Sequence, residues 1–150
     1  MSDALHITVD LDCPADHAFT VWTARIGTWW PADHTTTGQG RMVLEQRAGG
    51  RIYERTPEGG ERDCGQVLQW EPPARLVYLW HIGRERTDAT EVEVRFVARD
   101  ASSSTVEIEH RGWERLGEAG AAWREQNTAG WGAVLAHFGT AAVHEERGAG

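Results

Sequence analysis

Lysine is absent from this 150-residue chain, and all 15 basic side chains are arginine. Lysine Schiff-base chemistry and lysine-activated nucleophiles are therefore excluded; the absence itself reads as compositional bias. Cysteine is scarce. Cys13 and Cys64 lie far apart and neither belongs to a CxxC, so no thiol redox motif or thiolate zinc site is supported, and both read as reduced structural thiols. Bases are outnumbered by 23 acids, giving a net charge of −8, which argues against a nucleic-acid binder or a protein drawn to anionic membranes. No apolar run approaches the roughly 20 residues of a membrane span. The opening Met-Ser-Asp-Ala-Leu-His has neither a basic nor an apolar leader region, so a cytoplasmic location is expected. The seven histidines show no HxH or HExxH spacing, and GxSxG and phosphate-loop motifs are missing. No metal and no cofactor is expected.

What remains is an ordinary globular composition, 40% hydrophobic and 25% charged. A chain of this length buries about 70% of its extended surface and folds without metals or disulfides. One domain over residues 1–146 with a frayed tail at 147–150 is expected. The excess is in tryptophan: eight, at 22, 29, 30, 70, 80, 113, 123 and 131. Each brings about 200 Å² of mostly apolar surface and one N–H that needs a partner when buried. A core of this size does not require eight, so some are expected at a surface or around a cavity.

Residues 5–12 alternate apolar and polar, the signature of a half-buried strand. Pro14 and Asp16 then mark a helix start, and Phe19, Trp22 and Ile26 keep helical spacing over about 14–25. Short β-rich runs follow at 41–47, 51–56, 62–71, 75–82, 89–98 and 104–111. They are separated by turn chemistry at 48–50, 57–60, 71–74 and 100–103. This spacing predicts an antiparallel meander rather than βαβ units. From 118 to about 145 the pattern is helical, with Trp123, Asn127, Trp131, Val134, Leu135, Phe138 and Ala142 on one stripe. A curved sheet covered by one long helix leaves a gap between them, the expected place for the surplus indoles.

The segments Pro14–Thr23, Ile26–Pro31, Gly65–Trp80, Thr105–Trp113 and Gly130–Leu135 resemble the START-like (SRPBCC) superfamily. Within it, the chain resembles the family homologous to the C-terminal domain of the activator of heat-shock-protein-90 ATPase. The Gly65–Trp80 segment is the most specific of these. The resemblance implies an α+β helix-grip fold: six or seven curved antiparallel strands around a long C-terminal helix, with one or two short helices after the first strand. It also implies a cavity for a hydrophobic or aromatic small molecule. Relatives include lipid carriers and polyketide cyclases; the chain has no room for the co-chaperone's separate chaperone-gripping domain.

His110 shares a strand face with Val106 and Ile108, which suits it to bonding a ligand, to moving a proton in an enzyme, or to a satisfied place in the core. Trp123, Asn127 and Trp131 line one helix face, and Asn127, the chain's single Asn, needs partners there. Of Trp29 and Trp30, one is expected to close the cavity mouth and the other to be partly exposed. Tyr78 and Trp80 share a face whose side, concave or convex, the sequence leaves open, as it does for Tyr53 and Trp70. Arg41, Arg51 and Arg95 alternate with apolar positions and read as solvated. The expected ligand-binding set is Trp30, Tyr53, Tyr78, Trp80, His110, Trp123, Asn127 and Trp131. The leading function is binding of an apolar small molecule. A cyclase or aromatase using His110, and a protein-interaction module, are the alternatives; a homodimer is admitted, nucleic acid and a membrane span are not.

Overall fold

The computed structural model describes residues 4–82 and 85–149. Strand β1 (Leu5–Leu11) buries Leu5 and Leu11 and exposes His6, Thr8 and Asp10, following its sequence alternation. Helix α1 (Ala15–Thr23) starts after Pro14, whose φ of −62° suits a helix entrance, with Asp16 in its first turn. It buries Phe19, Val21 and Trp22. The helix expected over about 14–25 ends at Thr23, and a second short helix follows, in keeping with the one or two short helices expected after the first strand. The Arg25 amide bonds back to the Thr20 carbonyl at 3.3 Å, Arg25 leaves helical geometry, and a separate turn, α2 (Ile26–Trp29), buries Ile26 and Trp29.

Six strands follow: β2 (Arg41–Leu44), β3 (Arg51–Arg55), β4 (Glu61–Glu71), β5 (Arg75–Trp80), β6 (Thr90–Asp100) and β7 (Ser103–Arg111). They form an antiparallel meander, and β1 returns to pair with β7, giving one sheet in the order β1-β7-β6-β5-β4-β3-β2. Register shifts at Ile52/Tyr53, Val67/Gln69 and Ala98/Asp100 interrupt the ladder. Bulges of this kind bend strands and increase twist, and the sheet curls into a half-barrel. Gly112 (φ 93°) then turns the chain where a side chain would be strained. A 3₁₀ stretch at Trp113–Ala119 precedes α3 (Gly120–Ala149), so the long helix starts two residues later than its sequence pattern suggests.

Helices α1 and α3 fill the concave face. The α3 stripe behaves as its spacing predicts: Trp131, Val134, Leu135, Phe138 and Ala142 are buried, while Trp123 and Asn127 are half-buried near its start. Trp22, fully buried, is the hub of an aromatic core. Its ring centroid lies 4.8 Å from Phe138, 5.5 Å from Trp29 and 6.0 Å from Trp131. Cys13 and Cys64 are buried thiols not joined in a disulfide, and burial pushes the Cys64 thiol up to about 12.

The convex face is ionic. Glu93 on β6 accepts hydrogen bonds of 2.8 Å from each of Arg75, Arg95 and Arg111, and Arg111 also bonds Glu91 and Glu109. Arg51 and Arg95, two of the residues read as solvated, lie in these outward ion pairs. Burial opposes ionisation of Glu93, but hydrogen bonds from Arg75, Arg111 and Arg95 outweigh it and lower its pKa to about 2. A carboxylate depressed in the folded state contributes stability above its unfolded pKa and loses it as pH falls towards the folded value. Glu93→Gln should therefore flatten the loss of thermal stability between about pH 4.5 and 2 relative to the parent chain, measured by circular dichroism melts. Parallel curves would remove Glu93 as a source of acid lability.

Candidate functional site

The site is built around His110, fully buried on the inner face of β7 opposite Val92. The indole N–H of Trp131 on α3 donates to His110 Nδ1 at 3.0 Å. Indole nitrogen can only donate, so Nδ1 is an acceptor and the ring proton sits on Nε2. Nε2–H then donates to Thr90 Oγ1 at 2.6 Å, and the Thr90 hydroxyl donates to the Trp80 carbonyl at 3.2 Å. Trp113 closes the other side: its ring centroid is 4.2 Å from the imidazole and its N–H donates to the His110 carbonyl. One chain of hydrogen bonds thus ties α3 to β7, β6 and β5. Burial lowers the His110 pKa to about 3, so the ring is neutral across the physiological range, with both nitrogens engaged.

In front of this chain the sheet and α3 part. Two adjoining hollows open there, of about 70 Å³ and 30 Å³. Trp80, Ile82 and Asn127 border both. Trp30, His34, Gly130, Trp131 and Val134 complete the larger; His81, Thr90, Trp113 and Trp123 are among those completing the smaller. Each is smaller than the roughly 150 Å³ of a dry cavity that admits benzene. The indoles themselves occupy most of the gap. Trp30 packs in tilted ring contacts 5.3 Å from Trp80 and 5.8 Å from Trp29. Asn127 donates from Nδ2 to the Trp123 carbonyl at 2.9 Å, one turn back. Wider grooves of about 440 and 620 Å³ lie elsewhere on the surface and share no residue with this mouth.

The segment carrying Trp30 and His34 is pinned from behind. Glu54, fully buried on the inner face of β3, accepts hydrogen bonds from the backbone N–H and hydroxyl of both Thr36 and Thr37, at 2.6–3.2 Å. Burial alone raises a carboxyl pKa, but these donors, Thr37 first, hold Glu54 below its usual value. Trp30 N–H in turn donates to the His34 carbonyl at 3.2 Å.

Of the residues read from sequence, Trp30, Trp80, Trp123, Asn127 and Trp131 meet at the mouth, and His110 stands directly behind Trp131. Tyr78 is on the concave face but deeper, 5.9 Å from Trp80, its hydroxyl pKa raised by burial. Tyr53 is not brought to the site. It lies on the opposite face of β3 from Ile52 and Glu54, with the Arg51 guanidinium 4.5 Å over its ring and Arg55 bonding its hydroxyl. Trp30 both edges the mouth and is partly exposed, while Trp29 is core, its N–H bonded to the Val21 carbonyl. Sequence reading missed Thr90, His34 and Glu54 as functional positions. Strand alternation carried a signal for two of them: Thr90 shares a face with Val92 and Val94, and Glu54 shares one with Ile52.

A curled antiparallel sheet gripping one long helix, with short helices after the first strand, defines a helix-grip protein. The chain belongs to the activator of Hsp90 ATPase homolog 1-like family, whose model matches residues 12–142. Among solved structures it is similar to Txn09, an anthrahydroquino-gamma-pyrone synthase, at 26% identity and a TM-score of 0.62, covering 93% of this chain and 96% of that one. It is also similar to CalC, a self-sacrificing resistance protein from Micromonospora echinospora, at 24% identity and TM-score 0.70, over 95% and 96% of the two chains. PFC0360w, an Hsp90 activator from Plasmodium falciparum, matches at 16% and TM-score 0.54, over 73% of each chain. A comparison with curated proteins finds no match. Among the described residues, no helix is long and apolar enough to cross a membrane.

A histidine with a depressed folded pKa contributes stability above its unfolded value near 6.5 that is lost as pH falls towards about 3. His110→Phe keeps a flat ring, though a larger one, and orphans the Trp131 N–H. It should lower unfolding free energy at pH 7 by about 1–3 kcal/mol and flatten the slope between pH 6.5 and 4 in urea titrations. An unchanged slope would show that His110 is not the group responsible.

Proposed function

We propose that the chain binds a flat aromatic small molecule at the mouth between α3 and the β5–β6 end of the sheet, in the cytoplasm. The convergence of Trp30, Trp80, Trp123 and Trp131 around Asn127 carries this reading. Indoles offer large apolar faces and favour offset or edge stacking with other rings, and one amide among them gives direction at small desolvation cost. The hollows take only part of a ring system as they stand. Binding therefore involves outward movement of Trp30 or Ile82, or a guest that lies partly in the mouth. His110 in this reading is a positioning residue: it orients the Trp131 indole through Nδ1.

A second reading, an enzyme that folds and cyclises an aromatic precursor, is favoured by the likeness to the synthase Txn09. Proton transfer by His110 gains no support from its geometry, because Trp131 and Thr90 already take both ring nitrogens. An apolar protein-docking face on the sheet gains none either. Among the described residues the exposed large hydrophobics are Leu68 and Val97.

Titration with 1,4-dihydroxyanthraquinone should quench tryptophan emission saturably. Trp30→Ala should weaken the apparent affinity about tenfold, about 1.4 kcal/mol, whereas Leu68→Ala, at an exposed site outside the mouth, should leave it unchanged. Absence of saturable quenching, or equal affinity in parent and Trp30→Ala proteins, would sink the proposal. Turnover of a poly-β-ketone thioester by the parent chain would favour the enzyme reading over simple binding.

A further inference from the structure

Among the side chains that border the larger hollow, His34 is the one titratable group. It ends a 3₁₀ turn, Ala32–His34, that follows α2. Backbone bonds hold this turn. The His34 N–H donates to the Pro31 carbonyl at 3.0 Å, and the His34 carbonyl accepts the Trp30 indole N–H. The imidazole takes part in neither bond, and its side chain is 30% exposed, between the hollow and solvent.

One ring nitrogen is already bonded. His34 Nδ1 lies 3.1 Å from Asp33 Oδ1, and this hydrogen bond holds the Asp33 carboxyl below its usual value. A carboxylate only accepts, so Nδ1 carries the proton and Nε2 is left as an acceptor. Among the described residues Nε2 has no hydrogen-bond partner. The ring's other edge shows where it faces. Cδ2, the carbon bonded to Nε2, lies 3.9 Å from where a Cβ on Gly130 would stand, and Gly130 borders the same hollow. The Nδ1 edge is therefore turned to Asp33 and the Nε2 edge towards α3. Of the three indoles on this lining, Trp30 and Trp131 already donate their N–H within the protein, to the His34 carbonyl and to His110 Nδ1. Asn127 likewise donates from Nδ2 to the Trp123 carbonyl, which leaves its Oδ1 as a second acceptor. What the mouth offers a guest is mainly lone pairs.

We propose that His34, oriented by Asp33, accepts a hydrogen bond from a hydroxyl on the guest, so that the mouth selects hydroxylated aromatics, phenols above all, over rings that carry only alkyl or carbonyl groups. This rests on the reading of the mouth as an aromatic site. A few polar groups in an apolar pocket set the orientation of what it binds, and a site built to bond a hydroxyl rejects the analogue that lacks one. His34 touches the guest; Asp33 is a positioning residue that fixes the tautomer.

Isothermal titration calorimetry on the full chain, at about pH 8 and so above the usual imidazole range, compares 2-naphthol with 2-methylnaphthalene, two rings of like size. The parent chain should bind 2-naphthol about fivefold tighter. His34→Phe should bring that ratio near one, with 2-methylnaphthalene affinity within about twofold of the parent as the sign that the mouth is intact. His34→Gln, which puts an amide oxygen near the place of Nε2, should keep part of the preference. Asp33→Ala should reduce it without weakening 2-methylnaphthalene. Equal affinity for the two rings in the parent, or a preference that survives His34→Phe and disappears in Asn127→Ala, would overturn the role of His34 and leave the aromatic site standing. A preference unchanged in Asp33→Ala would overturn the orienting role of the carboxylate. Binding of neither ring would remove both the site and its selectivity.

Discussion

The fold rests on keeping α3 in register with the sheet, and the Trp131–His110–Thr90–Trp80 hydrogen-bond chain does this with direction. Apolar packing holds the helix down but is indifferent to small slides. A buried donor and acceptor are not, because each group left unpaired in the core costs about 1–3 kcal/mol. The imidazole is central because only a neutral histidine presents an acceptor and a donor on opposite sides of one rigid ring. Its depressed pKa follows from the burial that this task requires. Trp113, packed at a tilt against the same ring, carries this fixed point to the start of α3.

Aromatic side chains are used in two ways along the concave face. Around Trp22 they interlock edge to face and leave no room. Towards the β5–β6 end the same residue type loses contact with neighbours on one side, and the small hollows appear. The difference lies in what backs each ring. Trp22 has helix and sheet around it, whereas Trp30 and Trp123 stand at element ends and remain half-buried. The pinned loop behind Glu54 fixes where that transition falls.

Much of this was legible in the residues. The alternation of β1, the turn chemistry between strands and the α3 stripe gave the element order; the return of β1 to β7 is seen only in the structure. The mouth was largely legible as well, because Trp123, Asn127 and Trp131 recur at one-turn spacing. What was not legible depends on bulges and faces. A strand's period places Tyr53 and Tyr78 on a face but cannot say which face is concave; the register shift at Ile52/Tyr53 and the inward turn of Glu54 decide that in three dimensions. The end of α1 at Thr23, two residues short of the expected 25, was not legible because Ile26 continues the apolar pattern although the helix has already ended. Thr90 escaped notice because a threonine at a strand start reads as β propensity, and its role emerges only from contact with His110.

The pairing of β1 with β7 has a consequence for synthesis on the ribosome. Leu5 sits opposite His110 and Leu11 opposite Ser104, so β1 waits until β7 is made before it gains a strand beside it. Closing so long a loop slows folding more than it weakens the product. A nascent chain therefore holds β1 unpaired until β7 has been made, and that interval is when this domain is most open to capture by a chaperone or to pairing with another unfinished copy.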